Sequence, residues 1–353
     1  MASITRISSI GVEEARIEWK EAGVVHEVDP RELFSRYEGN PIIKPAAFPR
    51  MVNAAFNPAA VMFEGRTLLL MRVEHRTGLS RLVVATSNDG FTDWEIDVNR
   101  GIEPDLDCFE EQWGVEDPRI TKDDDGGYLI VYTGFSPGGP LVCLATTNDF
   151  RTFTKRGVIQ TPEDKDAALF PKKFGGRWGL IHRPASRGAG HGAHVWLSWS
   201  PDLRHWGDTQ ILIPARKGAW WDADKIGLGP PPLLTDAGWL LCYHGVRVTV
   251  SGSIYRLGLA LLDRDDPTIL IARGNEWVFG PTTIYERSGD VPDVVFPCGW
   301  ILDDDGDTLR MYYGAADSTV CVATASVREL LEHLSNHPVL PGSEMPRLDF
   351  ASE

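Results

Sequence analysis

The stretch Leu82-Val83-Val84-Ala85-Thr86-Ser87-Asn88-Asp89-Gly90-Phe91-Thr92-Asp93-Trp94 recurs along the chain. It returns as Val142-Cys143-Leu144-Ala145-Thr146-Thr147-Asn148-Asp149-Phe150-Arg151-Thr152-Phe153 and as Val195-Trp196-Leu197-Ser198-Trp199-Ser200-Pro201-Asp202-Leu203-Arg204-His205-Trp206, with looser copies at Tyr255 to Pro267 and Val320 to Leu330. Each copy reads as a strand, a turn rich in Asn, Asp or Ser, and an aromatic or leucine returning to the core. Ahead of each lies a hairpin whose turn contains Gly. The five hairpins run from Ala59 to Val73, Arg119 to Tyr132, Pro171 to His182, Pro232 to His244 and Trp300 to Tyr313. The units are spaced by roughly 50 to 70 residues, room for about four strands and their loops. Five such units in series predict an all-β, single-domain five-bladed β-propeller closed around a central channel. The alternative is an open stack of β-meanders. Helix is expected only over Pro30 to Tyr37 and Ser326 to Ser335. The expected organisation is an N-terminal extension over 1–39, the propeller over 40–325, and a C-terminal helix and tail over 326–353.

Composition narrows the function classes. The chain has 353 residues, 42% hydrophobic and 24% charged, which fits a globular protein with an ample core. Its 12 Trp and 35 Gly suit a β-rich fold with tight turns and flat apolar faces. A net charge of -15 argues against a nucleic-acid binder, whose affinity rests on a basic face. Any bound anion must instead be held by a local cluster of cations. Met1 to Val25 carries Glu13, Glu14, Arg16, Glu18, Lys20 and Glu21 and no apolar run of signal-peptide length. No membrane span is expected, since no stretch of about 18 apolar residues occurs. Five cysteines without metal-ligand spacing read as reduced thiols of a cytoplasmic protein.

The chemistry gathers around Gly114-Val115-Glu116-Asp117-Pro118-Arg119. Proline favours an extended residue before it and is tolerated at the start of a strand, so Asp117 is expected to sit rigidly at a strand mouth, placed to donate a proton. Alternation along the strand predicts that Glu116 points the other way, leaving one working acid. The competing reading is that Asp117 and Arg119 pin a turn through an ion pair. In a propeller, polar residues at matching strand ends converge on one axis. Asn53, Asp117 and Asp317 suit a hydroxyl-rich ligand. Arg76, Lys165 and Arg183, with His244 and Tyr255, suit an oxyanion such as phosphate. Trp113, Trp220 and Trp221 offer faces to a sugar ring, whereas Trp239 suits the core. A sugar pocket beside an anion pocket, with one acid between, implies glycosyl transfer to phosphate. Inverting hydrolysis needs a second carboxylate to activate water, but phosphate is already an anionic nucleophile. Asp117 would need a raised pKa to serve near pH 7, which partial burial and a neighbouring phosphate would favour. Asp166, next to Lys165, would repel an anion unless it pairs with that lysine or turns away.

With those residues in view, the chain resembles glycoside hydrolase family 130, the β-mannoside phosphorylases and related hydrolases. The matching pieces are Asn40-Pro41-Ile42, Asn57-Pro58-Ala59, Arg72-Val73-Glu74, Glu116-Asp117-Pro118-Arg119, Phe170-Pro171 with His182-Arg183-Pro184, Tyr243-His244-Gly245 and Tyr313-Gly314-Ala315-Ala316-Asp317. They span about residues 40 to 325. The resemblance implies a five-bladed propeller and Asp117 as general acid, acting through the 3-hydroxyl of the mannosyl unit. It implies sugar contacts at Asn53, Arg72 and Asp317, an acceptor contact at Asp293, and a phosphate cluster of Arg76, Lys165, Arg183, His244 and Tyr255. The expected reaction is inverting phosphorolysis of β-mannosides to α-D-mannose 1-phosphate, with inorganic phosphate as co-substrate and neither metal nor other cofactor. A β-mannosidase, with Glu74 or Asp166 as its second carboxylate, and a non-catalytic sugar-binding propeller are the alternatives. Terminal extensions of this kind often serve contacts between subunits, so a homo-oligomer is an open expectation.

Overall fold

The computed structural model describes residues 19–21, 24–26, 32–49, 51–123, 126–185, 193–250 and 252–338. Trp19–Glu21 and Val24–His26 form a short antiparallel pair of their own. From Leu33 onward the chain is one compact unit built of five small antiparallel sheets.

Blade 1 comprises Val52–Phe63, Arg66–His75, Ser80–Ser87 and Glu95–Ile102. Blade 2 comprises Val115–Lys122, Tyr128–Ser136, Gly139–Thr147 and Thr154–Gln160, and blade 3 Asp164–Leu169, Trp178–Pro184, Val195–Ser200 and Gly207–Ile213. In each, strands follow chain order from first to fourth. Side chains alternate across a strand, so each sheet feeds two cores. Leu68 and Leu70 of blade 1 pack with Ile120 and Ile130 of blade 2. Leu129 and Val131 of blade 2 pack with Leu169 and Leu180 of blade 3. Ile181 and Leu197 of blade 3 meet Trp239 and Leu241 of blade 4, whose Leu257 and Leu259 meet Met311 and Tyr313 of blade 5. Tyr312 and Val322 of blade 5 then pack with Leu69 and Met71 of blade 1. This last core closes the ring and rules out the open stack.

The repeated acid shapes the turn after the third strand. The carboxylate of Asp89 accepts from the backbone N–H of Phe91 and Thr92, both at 2.8 Å. Asp149, Asp202 and Asp263 repeat the arrangement in the next three blades. The motif is thus an Asx turn, which offers the chain a local alternative to continuing the strand.

Two blades depart from the simple plan. In blade 4 the long strands Gly238–Thr249 and Gly252–Leu262 are followed by Leu270–Arg273. Two short pieces, Lys225–Leu228 and Leu233–Thr235, share the inner edge of Gly238–Thr249. Between them lies Gly229-Pro230-Pro231-Pro232, whose prolines donate no backbone hydrogen bond. The sequence hairpin beginning at Pro232 therefore captures only the second piece. In blade 5, Val295–Leu302, Thr308–Ala315 and Thr319–Ser326 run into the helix Val327–Ser335, capped by Ser326, whose hydroxyl accepts from Glu329 N–H at 3.2 Å. The outer strand of this blade comes from Ser35–Arg36, paired with Thr324 and Ala323. The described part of the expected Pro30 to Tyr37 helix is therefore extended, because its backbone is recruited by the sheet. Arg36 pins the closure, donating to Glu286 at 2.7 Å and lying 4.2 Å over the Phe279 ring.

Candidate active site

The first strands of blades 1, 2 and 3 carry the same irregularity. Pairing slips between Phe56 and Ala59, between Glu116 and Arg119, and between Lys165 and Ala168. At each slip one polar residue has left-handed backbone: Asn57 (φ 46), Asp117 (φ 47) and Asp166 (φ 53). Asn and Asp tolerate this region better than most residues, and bulges re-aim side chains. Asp117 is therefore not extended, as its proline suggested, but turned by a bulge. The bulge also defeats alternation: Glu116 does not point away, and both carboxylates reach the Arg72 guanidinium, Glu116 Oε1 at 2.9 Å and Asp117 Oδ1 at 3.5 Å.

Asp117 is nearly fully buried. Its Oδ1 accepts from Asn57 Nδ2 at 2.9 Å, and its Oδ2 lies 3.8 Å from Lys165 Nζ. Arg119 does not pair with the carboxylate. It donates to the Asp117 carbonyl at 3.1 Å and reaches the blade 4 carbonyls of Leu228 at 2.8 Å and Gly229 at 2.7 Å. Burial pushes the Asp117 carboxyl up, but Arg72, Lys165 and the Asn57 amide outweigh it and hold the group below its ordinary value. In the free protein Asp117 is ionised, opposite to the raised value expected from burial alone.

Arg72 lies 4.6 Å from the Phe56 ring and also donates to Ser80 Oγ at 2.9 Å and Glu74 at 3.3 Å. Glu116 is shifted upward, by burial first. Asp317, in left-handed backbone after Gly314-Ala315-Ala316, is raised to about 7 by burial and by the Asp117 charge. The unfolded chain, with a carboxyl near 3.8, releases this proton first as pH rises, so the folded state loses stability between about pH 4 and 7. Asp317→Asn is expected to melt close to the parent at pH 4 and progressively above it up to pH 7. A difference constant with pH in thermal unfolding would refute this.

The anion-binding candidates form the second half of the site. Asp166 is fully buried; its Oδ2 accepts from Arg183 Nε at 2.8 Å and lies 3.4 Å from His244 Nε2. Burial pushes Asp166 up, yet Arg183, His244 and Lys165 hold it well below the carboxylate range. It thus serves as the counter-ion that fixes Arg183. Burial lowers His244 to about 3, so its ring is neutral at pH 7. Tyr255 sits against it, ring centroids 5.7 Å apart, and the Tyr255 N–H donates to the carbonyl of Asp293 at 3.1 Å. Gly227 leaves the necessary room, since a Cβ there would lie 2.4 Å from Asp166 Oδ2 and 2.5 Å from His244 Cε1.

Other residues lie toward the rim. Arg76 is exposed beyond the end of Arg66–His75. Asn53 is also exposed; it donates to Glu74 Oε1 at 3.1 Å and to the Asp290 carboxylate. Trp113 and Trp220 are about half exposed, at 49% and 43%, whereas Trp221 and Trp239 are buried. Of the four, only the first two are open to solvent, and the Arg216 guanidinium lies 4.7 Å over the Trp220 ring. His182 is held inward by Asp164 at 2.6 Å and Ser198 at 2.8 Å, with Ser198 fully buried, so this triad-like chain is structural.

Sequence reasoning missed Asn57, Lys225 and Asp290 as site residues. The Asn57-Pro58 pair repeats Asp117-Pro118, a signal that was visible. Lys225 opens the inner strand of blade 4, as Lys165 lies near the start of blade 3's, and its Nζ is 5.2 Å from the Tyr255 ring centroid. Asp290 belongs to a loop with no repeat signal.

A closed propeller with a buried carboxylate between a multiply paired arginine and a lysine–arginine–histidine cluster has the layout of a carbohydrate-active enzyme. The chain belongs to glycoside hydrolase family 130: a profile of that family, described as beta-1,4-mannooligosaccharide phosphorylase, matches residues 26–336. Beta-1,4-mannooligosaccharide phosphorylase of Ruminococcus albus is 31% identical over 335 residues, covering 93% of this chain and 97% of its own length. Beta-1,2-mannobiose phosphorylase of Listeria innocua is 37% identical over 260 residues, 73% of this chain and 70% of its own. The solved structure of beta-1,2-mannobiose phosphorylase from Listeria innocua, in complex with beta-1,2-mannobiose, aligns with a TM-score of 0.78 at 30% identity, covering 86% of this chain and 99% of that one.

Proposed function

We propose that this chain catalyses inverting phosphorolysis of β-mannosides, giving α-D-mannose 1-phosphate and a sugar shortened by one unit. The observation that carries the reading is the 3.8 Å approach of Lys165 Nζ to Asp117 Oδ2, which joins the acid to the cation cluster. Phosphate held by Lys165, Arg183, His244 and Tyr255, with Arg76 approaching from the rim, attacks the anomeric carbon. The bond to the leaving oxygen breaks on the opposite face, and that oxygen takes the proton supplied by Asp117. Binding of the dianion offsets the Lys165 charge and adds a negative neighbour, so Asp117 gains its proton as phosphate arrives. With only 2% of Asp117 exposed, relay through the 3-hydroxyl of the mannosyl unit is favoured over direct contact with the leaving oxygen. Arg72, Asp317 and Asn53 would hold that mannosyl unit, and Asp293 would face the acceptor.

The hydrolytic reading is disfavoured by its own candidate bases. Asp166 is fully buried and bound to Arg183, and Glu74 is engaged by Arg72 and Asn53. Inorganic phosphate is the sole co-substrate in this proposal, and no resident metal or cofactor takes part. The five unpaired cysteines, four of them buried, support a cytoplasmic location. Among the described residues no helix is long and apolar enough to cross a membrane. The terminal segments, where subunit contacts were expected, lie largely outside the described residues, and homo-oligomerisation stays within the proposal.

The test is release of mannose 1-phosphate from β-1,2- and β-1,4-linked mannosides with and without phosphate. Phosphate-dependent release supports the reading and names the linkage. Free mannose irrespective of phosphate would mean a hydrolase, and binding without turnover a sugar-binding propeller. Lys165→Ala is expected to raise the phosphate KM about 10- to 100-fold, the loss of one charge-assisted hydrogen bond, with a much smaller change in the sugar KM. Equal changes in both constants would remove Lys165 from the anion site. Arg183→Ala should act likewise but also destabilise the fold, because Asp166 would lose its main partner.

A further inference from the structure

We infer that Asn57 is a positioning residue that decides which oxygen of Asp117 carries the catalytic proton. Its amide makes the close side-chain hydrogen bond to the Asp117 carboxylate, Nδ2 donating to Oδ1 at 2.9 Å, while the Arg72 guanidinium stands 3.5 Å from the same oxygen and Lys165 faces the other. A carboxylate beside it requires the NH₂ edge of the amide to face Asp117. An oxygen that already accepts from that edge is poorly placed to hold a proton, so the proton resides on Oδ2. Oδ2 is the oxygen that faces Lys165, and hence the side from which phosphate alters the local charge.

The amide has little freedom to turn over. Asn57 is buried, and its Oδ1 has no hydrogen-bond partner. That oxygen sits over Gly314, where an added Cβ would lie 2.1 Å away. Reversing the amide would put its two donors in this unpartnered space and turn its oxygen toward an ionised carboxylate. The backbone supports the same function. Asn57 and Asp117 occupy equivalent bulges on adjacent inner strands, both left-handed and both followed by proline. Two bulges held within paired strands therefore set the distance between amide and acid, and nothing in a mobile loop is needed.

The inference rests on Asp117 being the proton source, and the variants are chosen to separate the two claims. Asn57→Gly keeps a residue at ease with positive φ and removes the amide; Asn57→Asp keeps shape and backbone preference but replaces the donor with a carboxyl. Both are assayed for phosphate-dependent release of mannose 1-phosphate across pH, with thermal unfolding as a check of folding. The expected result is a kcat lower by about 10- to 100-fold, the order that follows from misplacing a reacting group. The KM values for phosphate and mannoside should stay within a few fold. The alkaline limb of the kcat profile should move to higher pH in both variants, further in Asn57→Asp, because a donor to the ionised acid is gone. A merely structural role would lower activity with the limb unmoved, and that result, or full activity in either folded variant, overturns the inference. Should Asn57→Gly fail to fold, Asn57→Asp alone decides it by the same criterion. Undiminished activity in Asp117→Asn would sink the acid assignment itself, and with it this one.

Discussion

Asp117→Asn is expected to lower kcat for phosphorolysis by about 10²- to 10⁴-fold, the usual worth of a positioned general acid. Several consequences separate this from simple damage. An asparagine at 117 keeps the left-handed backbone at low cost and still offers an oxygen to Asn57 Nδ2, so the bulge should survive. The new amide removes a negative charge 3.8 Å from Lys165, so phosphate should bind at least as tightly as in the parent. A loss confined to kcat, with an unchanged or lower phosphate KM, marks an acid and not an anion ligand. The variant should be somewhat less stable at neutral pH, since the folded protein holds Asp117 below its ordinary 3.8 and the stabilisation is present above that value. The gap should close as pH falls through the acid range, where the carboxyl is protonated in both states. Retained turnover would remove Asp117 from the chemistry.

Arg119→Met should give the largest loss of stability. The guanidinium is 1% exposed and its donors reach three carbonyls, those of Asp117, Leu228 and Gly229. One of these belongs to its own bulge and two to the last residue of the blade 4 strand Lys225–Leu228 and the glycine after it, so Arg119 is a strut from blade 2 to blade 4. Its Nη2 also lies 3.9 Å from Asp166 Oδ1. Methionine fills the space of the stem but leaves the carbonyls without donors and Asp166 with one fewer counter-charge. Breaking a buried charged network of this kind costs about 3–5 kcal/mol, which in a chain of this size lowers Tm by about 4–7 °C. Arg119→Lys should fall between, because one ammonium cannot span three acceptors in a planar fork. Calorimetry of the three proteins checks the order; a methionine variant melting within about 2 °C of the parent would show that the strut bears no load.

The ring was legible in the sequence because its punctuation is local. Asp89, Asp149 and Asp202 each close a turn with backbone donors two and three residues away, so the motif survives in a linear reading. Lys225–Leu228 was not legible, being four residues long and cut off from its continuation by three prolines. The extended conformation of Ser35–Arg36 depends on a partner strand nearly three hundred residues away. The site divides in the same manner. Proline marked Asp117, and charge type separated Lys165 and Arg183 from Asp317. The direction of the Asp117 shift was misread because it depends on Arg72 and Lys165, contributed by two other blades. The pairing of Glu116 with Arg72 was missed because a bulge leaves no trace in an alternation pattern.

The outer strand of blade 5 has a consequence for how this protein comes into being. Ser35–Arg36 emerges from the ribosome long before Thr319–Ser326, the strand it must join. Four blades can gather in order of synthesis, but the circle stays open until the last of its pieces is made. Arg36 and Glu286, 250 positions apart, then meet as clasp and eye. Contacts of such separation form late and slowly, so the unclasped chain is the vulnerable species, and a protease or a chaperone would meet it before any substrate does.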